Sequence, residues 1–210
     1  VKKTTLAVPA GSPRVDAFVA EARVSGRSVI ELAVAGSIEP QAGLAWNPLS
    51  FASARAALIE AETALGGSLD ELVLFADPPS GPSGIVDATP RDIEHEVLTW
   101  AAGYAELVRE AARRFAERGS GIIMLTVVAE DRGPLGSMAA GALLGLAEGL
   151  LAHDQGAARC LAIRDESGQP DLLARQLVKM LDESSHDRSR ERGRAQVLKF
   201  GGRSGIFGRG

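Results

Sequence analysis

Short β-branched runs alternate along this chain with longer stretches whose apolar residues recur at helical spacing. The runs TTLAV (4–8), SVIELAV (28–34), ELVLFA (71–76), GIIMLTVVA (121–129), ARCLAIR (158–164) and AQVLKF (195–200) read as strands. Several are apolar without alternation, the pattern of strands covered on both faces of a parallel sheet. Helical patterns fall between them near 12–24, 50–65, 89–118, 133–153 and 170–183. Strand–helix alternation of this kind predicts a doubly wound, Rossmann-like α/β fold with a parallel sheet of six or seven strands, built as one domain over 1–210.

The helix from 89 is the clearest element. Thr89 can cap it, Pro90 suits the first helical position and Asp92 completes a capping-box pattern. Ile93, Val97, Trp100, Tyr104, Leu107, Ala111 and Phe115 then mark one apolar face, so Tyr104 reads first as a core or interface residue. One joint is irregular. Between the second strand and the helix FASARAALIEAETALGG lies AGSIEPQAGLAWNPLS, without helical pattern, where a parallel crossover needs roughly a dozen residues or more. Leu44–Trp46 would supply a further strand, leaving the first half of the sheet abbreviated.

Composition narrows the function classes. The 210 residues are 45% hydrophobic and 24% charged, ordinary values for a globular protein. A net charge of −4 without excess Lys or Arg argues against nucleic acid as partner. A single cysteine, Cys160, excludes an internal disulfide and fits a cytoplasmic location. No membrane partner is expected, since no apolar run reads as spanning length and VKKTTLAVPA lacks a signal-peptide core.

The order of elements in NPLSFASARAALIEAETALGGSLDELVLFAD (47–77), TPRDIEHEVLTWAAGYAELVREAARRFAERGSGIIMLTVVAEDRG (89–133) and the apolar helix RGPLGSMAAGALLGL (132–146) resembles the short-chain dehydrogenase/reductase (SDR) family. GRAQVLKFGG (193–202) resembles that family's last strand and Gly-Gly turn. The resemblance spans about 44–153 well, 158–164 plausibly and 193–202 locally. It implies a seven-stranded Rossmann sheet, NAD(P) as cofactor and assembly into dimers or tetramers.

Checked residue by residue, the family's functional positions are not filled. The first strand is followed by PAGSPRVDAF, with Gly11 alone and Pro13 lacking an amide donor, where a pyrophosphate needs several close backbone N–H groups. Asn47 stands where the family has an acid after its third strand. Leu74, Phe75, Ala76 and Asp77 replace its Asn-Asn-Ala-Gly stretch. The catalytic serine, tyrosine and lysine positions fall on Val127, Gly136 and Ala140, and the supporting asparagine falls near Thr99. No Tyr-x-x-x-Lys exists in the chain, since Val108 stands four residues after Tyr104. The resemblance therefore implies a degenerate member with no catalytic, cofactor-binding or metal residues of its own.

No other chemistry stands out. His95, His153 and His186 have no ligand spacing, and Cys160 lies inside a strand. DESSHDRSRERGR (182–194) balances acids against arginines and reads as a solvated loop; alternatively its arginines meet an anionic ligand such as a coenzyme A thioester. Asp77, Glu130 and Asp131 at strand ends are the candidates for a relocated site.

What remains is a surface. In the family the helices corresponding to 89–118 and 133–153 pair across a subunit interface, and the second here carries Gly141, Gly145 and Gly149 among alanines. The expected interface residues are Trp100, Tyr104, Leu107, Met138, Gly141 and Gly145, with Phe207 of the tail RSGIFGRG as an anchor. The expected partner is an active SDR paralogue that holds NAD(P), as in heteromeric ketoacyl reductases and the paired-subunit dehydrogenase for benzylsuccinate-pathway thioesters. The other readings are a homo-oligomeric ligand-binding or regulatory protein, and an enzyme with a relocated site.

Overall fold

The computed structural model describes residues 2–35, 44–78, 84–128, 133–153, 158–186 and 197–201. Seven parallel strands, β1 (Thr4–Val8), β2 (Ser28–Val34), β3 (Leu44–Trp46), β4 (Glu71–Ala76), β5 (Gly121–Val128), β6 (Ala158–Asp165) and β7 (Leu198–Phe200), form one sheet. Their order is β3-β2-β1-β4-β5-β6-β7. The chain winds outward from β1 to β3, returns to the other side of β1 as β4, and winds out again. That reversal between β1 and β4 is where doubly wound folds bind ligands, beyond the carboxyl ends of the strands.

Helices α1 (Pro13–Val24) and α6 (Pro170–His186) cover one face of the sheet. Helices α2 (Phe51–Leu65), α4 (Tyr104–Arg118) and α5 (Gly133–Ala152) cover the other. β4 is buried along its whole length, as a run apolar in all but its first residue requires. The one acid in that run, Glu71, is buried as well. Arg27 meets it through Nε and Nη2 (2.9 and 3.3 Å), and the Thr5 hydroxyl donates at 2.7 Å. Predicted and observed strands differ chiefly at β7, whose described part is Leu198–Phe200.

The long helix predicted over 89–118 is three segments: α3 (Pro90–Glu96), a π-helical stretch Val97–Gly103, and α4. The capping box of Thr89 and Asp92 is present. The predicted apolar face holds from Trp100 onward, but Ile93 and Val97 are exposed and Glu96 is what α3 buries. The π turn explains the shift. It takes an extra residue per turn, so upstream of it the buried stripe moves back by one position, from Val97 to Glu96. Gly103 closes this stretch because a Cβ there would lie 2.6 Å from the Pro48 Cβ.

α5 corrects the expectation about apolar runs. By length and composition it is able to cross a membrane, with a mean hydropathy of 1.5 over its best window. Here it lies along the sheet, packed on β5, β6 and the π-helical stretch. Leu135, Ala139, Leu143 and Ala147 are buried, while Met138, Gly141, Ala142 and Gly145 are exposed.

Candidate functional site

The carboxyl edge of the sheet is built differently from a dinucleotide cradle. After β1 the chain turns through the cis peptide Val8–Pro9 and Gly11, at φ +83°. Ser12 then caps α1, its hydroxyl accepting from the Val15 N–H at 3.2 Å, and Pro13 opens the helix. Arg14 follows in the first turn and is only 8% exposed. A cation at a helix N-terminus opposes the dipole, so its burial there requires acids nearby.

Two acids supply that compensation. Arg14 Nη1 lies 3.1 Å from Asp77 Oδ2, just past β4, and Arg14 Nε lies 3.1 Å from Asp165 Oδ2, the last residue of β6. The Asp165 side chain is fully buried and that of Asp77 is 11% exposed. Asp165 Oδ1 also accepts from the Ser167 N–H and hydroxyl at 2.9 and 2.6 Å, which fixes the approach to α6. One guanidinium thus staples together the ends of β1, β4 and β6. The contacts to Asp77 and Asp165 are charge-assisted, the strong kind of hydrogen bond.

The residues present do not fit NAD(P). The turn has one glycine, Pro13 removes an amide from the first helical turn, and Arg14 is spent on two aspartates instead of facing an open groove.

The positions that the resemblance assigns to the catalytic serine, tyrosine and lysine hold valine, glycine and alanine. Val127 is buried in β5, Gly136 is buried in α5 and Ala140 is half-buried. Next to Val127, the Thr126 hydroxyl is fully buried with no hydrogen-bond partner. By strand alternation it faces the α1/α6 side, away from the helices that carry the other family positions. Thr99, at the asparagine position, is also buried with its hydroxyl unpartnered.

Three of the expected interface residues need correction. Trp100, Tyr104 and Leu107 belong to the interior of the chain itself. Tyr104 stacks on Trp100 (5.1 Å between centroids) and meets Trp46 edge-on, and its hydroxyl donates to the Phe75 carbonyl at 3.3 Å. Burial holds its phenol far above the ordinary tyrosine range. The physical reason is that this stripe packs against Trp46, the sheet and α2 within the same chain. Met138, Gly141 and Gly145 do lie on an exposed face; Phe207 lies outside the described residues.

The remaining candidates are dispersed. His95 and His153 are exposed, and no group of metal-ligating side chains forms among the described residues. Burial pushes the Cys160 thiol up to about 11, which makes it a poor nucleophile. Asp182 is held by Arg27 Nη2 at 2.7 Å, and Arg188–Arg194 lie outside the described residues. Of the relocated-site candidates, Asp77 is engaged by Arg14, while Glu130 and Asp131 lie outside the described residues. Sequence reading missed Arg14 and Asp165 as a pair; the one local signal was an arginine in a helix's first turn.

No family model matches this sequence, and no curated protein matches it. Solved structures do. A short chain dehydrogenase from Mycobacterium smegmatis superposes with a TM-score of 0.73 at 16% identity, covering 94% of this chain and 91% of the other. A gluconate 5-dehydrogenase from Burkholderia cenocepacia, solved with NADP and tartrate, gives 0.69 at 15% over 96% and 95%. The NADPH-dependent 3-quinuclidinone reductase from Rhodotorula rubra gives 0.74 at 16% over 96% and 90%. Identities this low carry the fold and not the chemistry. The chain has the α/β fold of the short-chain dehydrogenases.

Proposed function

We propose that this chain is a non-catalytic short-chain dehydrogenase-like subunit that pairs with an active, NAD(P)-holding SDR paralogue in a heteromeric dehydrogenase or reductase. The observation that carries the reading is the Arg14–Asp77–Asp165 cluster at the edge where the fold binds its ligands. A guanidinium already shared between two aspartates is not held out to a dinucleotide. The exposed small-residue face of α5, with Met138, Gly141 and Gly145, favours association as the remaining use of the scaffold. The family resemblance extends the reading to an acyl thioester as the complex's substrate and to a cytoplasmic setting.

Two measurements test it. A ligand at about 100 times its Kd adds about 2.7 kcal/mol to stability. For a chain of this size that is a rise in Tm of roughly 5–10 °C. Neither NADH nor NADPH should move the Tm of the isolated chain; a saturable rise would refute the closed cleft. The second is the native mass and subunit composition of the tagged protein from its own cells. An SDR chain with an intact Tyr-x-x-x-Lys in fixed stoichiometry supports pairing. A mass made of this chain alone sinks it in favour of the homo-oligomeric reading.

A further inference from the structure

The short helix α3 is attached to the rest of the chain by an unusual residue. Of its positions Pro90–Glu96 only Glu96 is buried; Asp92 is half-buried and the others are exposed, Ile93 among them. A helix with so few buried apolar contacts belongs to the least stable parts of a fold. Its one anchor is an acid. Glu96 is 9% exposed, and its Oε2 is buried with no hydrogen-bond partner.

The surroundings of that carboxyl are poor in charge. α3 and the π-helical stretch Val97–Gly103 pack against each other and against α5. The π-helical stretch has no ionisable residue, and α5 has only Glu148. On α3 itself stand Arg91, Asp92, Glu94 and His95. Burial pushes the Glu96 carboxyl above the ordinary glutamate range; the His95 charge opposes the rise and Asp92 adds to it. A neutral acid loses far less hydration on burial than a carboxylate does, so the docked position suits the protonated form. The change of backbone ladder at Val97–Gly103 also gives α3 a joint that separates it from α4.

We propose that α3 and the π-helical stretch form an acid-favoured latch on α5: with Glu96 protonated the segment stays docked, and ionisation of Glu96 releases it by local opening. The sign follows from linkage. The docked carboxyl holds its proton more tightly than the open one does. Docking is therefore strongest below the open-state glutamate range and weakens as pH rises through the docked value. Between those two values the open fraction grows about tenfold per pH unit, and above them it levels off. Opening uncovers the part of α5 on which α3 lies, so acidity sets how much of that helix is accessible.

Hydrogen–deuterium exchange of the full chain, read by mass spectrometry between about pH 5 and pH 8, tests the latch. Rates are corrected for the intrinsic pH dependence of amide exchange, and β5 serves as the internal reference. Across that range the open fraction of residues 90–103 should rise severalfold or more while β5 stays level. Glu96→Gln, which keeps the shape and cannot ionise, should give a flat profile, and Glu96→Met should give a flat and better protected one. His95→Gln should keep the rise. A flat profile in the parent chain overturns the proposal. So does a rise retained in Glu96→Gln and Glu96→Met, a rise abolished by His95→Gln, or one that β5 shares in full, which would be global unfolding.

Discussion

Replacing Arg14 by Met keeps much of the side-chain volume and removes the cation that three strand ends share. Asp165 is then left fully buried and Asp77 nearly so, each without its guanidinium contact. Removing one partner of a buried pair typically costs 3–5 kcal/mol, because the other charge stays behind. Here the loss should fall toward the lower end, about 3 kcal/mol. Asp165 keeps the two Ser167 donors on its other oxygen, and Asp77 retains some contact with water. Urea unfolding followed by circular dichroism measures it. With a slope of about 2–3 kcal/mol/M, the midpoint should drop by roughly 1–1.5 M. A second variant separates charge from packing. Combining Arg14→Met with Asp77→Asn and Asp165→Asn removes all three charges, and it should recover at least half of the lost midpoint. An Arg14→Met midpoint within experimental error of the parent would refute the reasoning, as would a triple variant no better than the single one.

Other substitutions test separate parts of the structure. Glu96→Gln should stabilise the isolated chain by about 1 kcal/mol at pH 7, since it removes the charge from an unpartnered buried group. Glu96's folded-state carboxyl is raised by burial, so its contribution is most favourable below the unfolded-state carboxylate range and is lost as pH rises through the folded value. The advantage of the variant in thermal melts should therefore shrink on acidification. Thr126→Val removes a fully buried, unpartnered hydroxyl at constant shape and should raise stability by about 1 kcal/mol in chemical denaturation. Gly121→Ala should destabilise by about 1–3 kcal/mol, because the new Cβ would lie 2.1 Å from the Phe115 ring; adding Phe115→Leu should return part of the loss. Gly145→Ala has open space around it and should stabilise the lone chain by up to about 1 kcal/mol through helix propensity. If α5 is the pairing face, the same substitution should weaken association measured by sedimentation.

Legibility in the sequence followed the range of the interactions. β4 and β5 are written as largely apolar runs without alternation, and burial on both faces follows from that pattern without any distant information. The three-residue β3 was legible as an irregular joint, because no helix fits between β2 and α2. The phase of the long helix was not. Ile93 and Val97 continue the spacing of Trp100 and Tyr104 in an ideal helix, and nothing local announces the turn that displaces them. The Arg14 cluster was out of reach for a different reason. Its partners stand 63 and 151 positions away, so only the completed winding of the sheet brings β1, β4 and β6 to one edge.

Two buried guanidiniums of this fold, Arg14 and Arg27, are each matched by two carboxylates of the chain itself. A cofactor-binding edge holds donors in waiting, and its polar groups are fully satisfied only when the ligand arrives. Stability is then coupled to occupancy. In this chain the equivalent edge is closed by Arg14 with Asp77 and Asp165. At the opposite end of the same sheet Arg27 closes on Glu71 and Asp182, with Thr5 and Ser25 completing the set. Arg14, on α1, and Arg27, in the turn before β2, each join the first half of the winding to groups from the second half. Buried ion pairs of this type seldom outperform a well-packed apolar core in energy, but an unpaired member is costly, so the set favours one arrangement of strand ends over any other. A scaffold held in register by its own side chains needs no dinucleotide to keep its outer surface in shape. Under the proposed function that requirement falls on a subunit whose contribution is its surface, and the layered fold would persist even with valine, glycine and alanine at the positions the family resemblance assigns to catalysis.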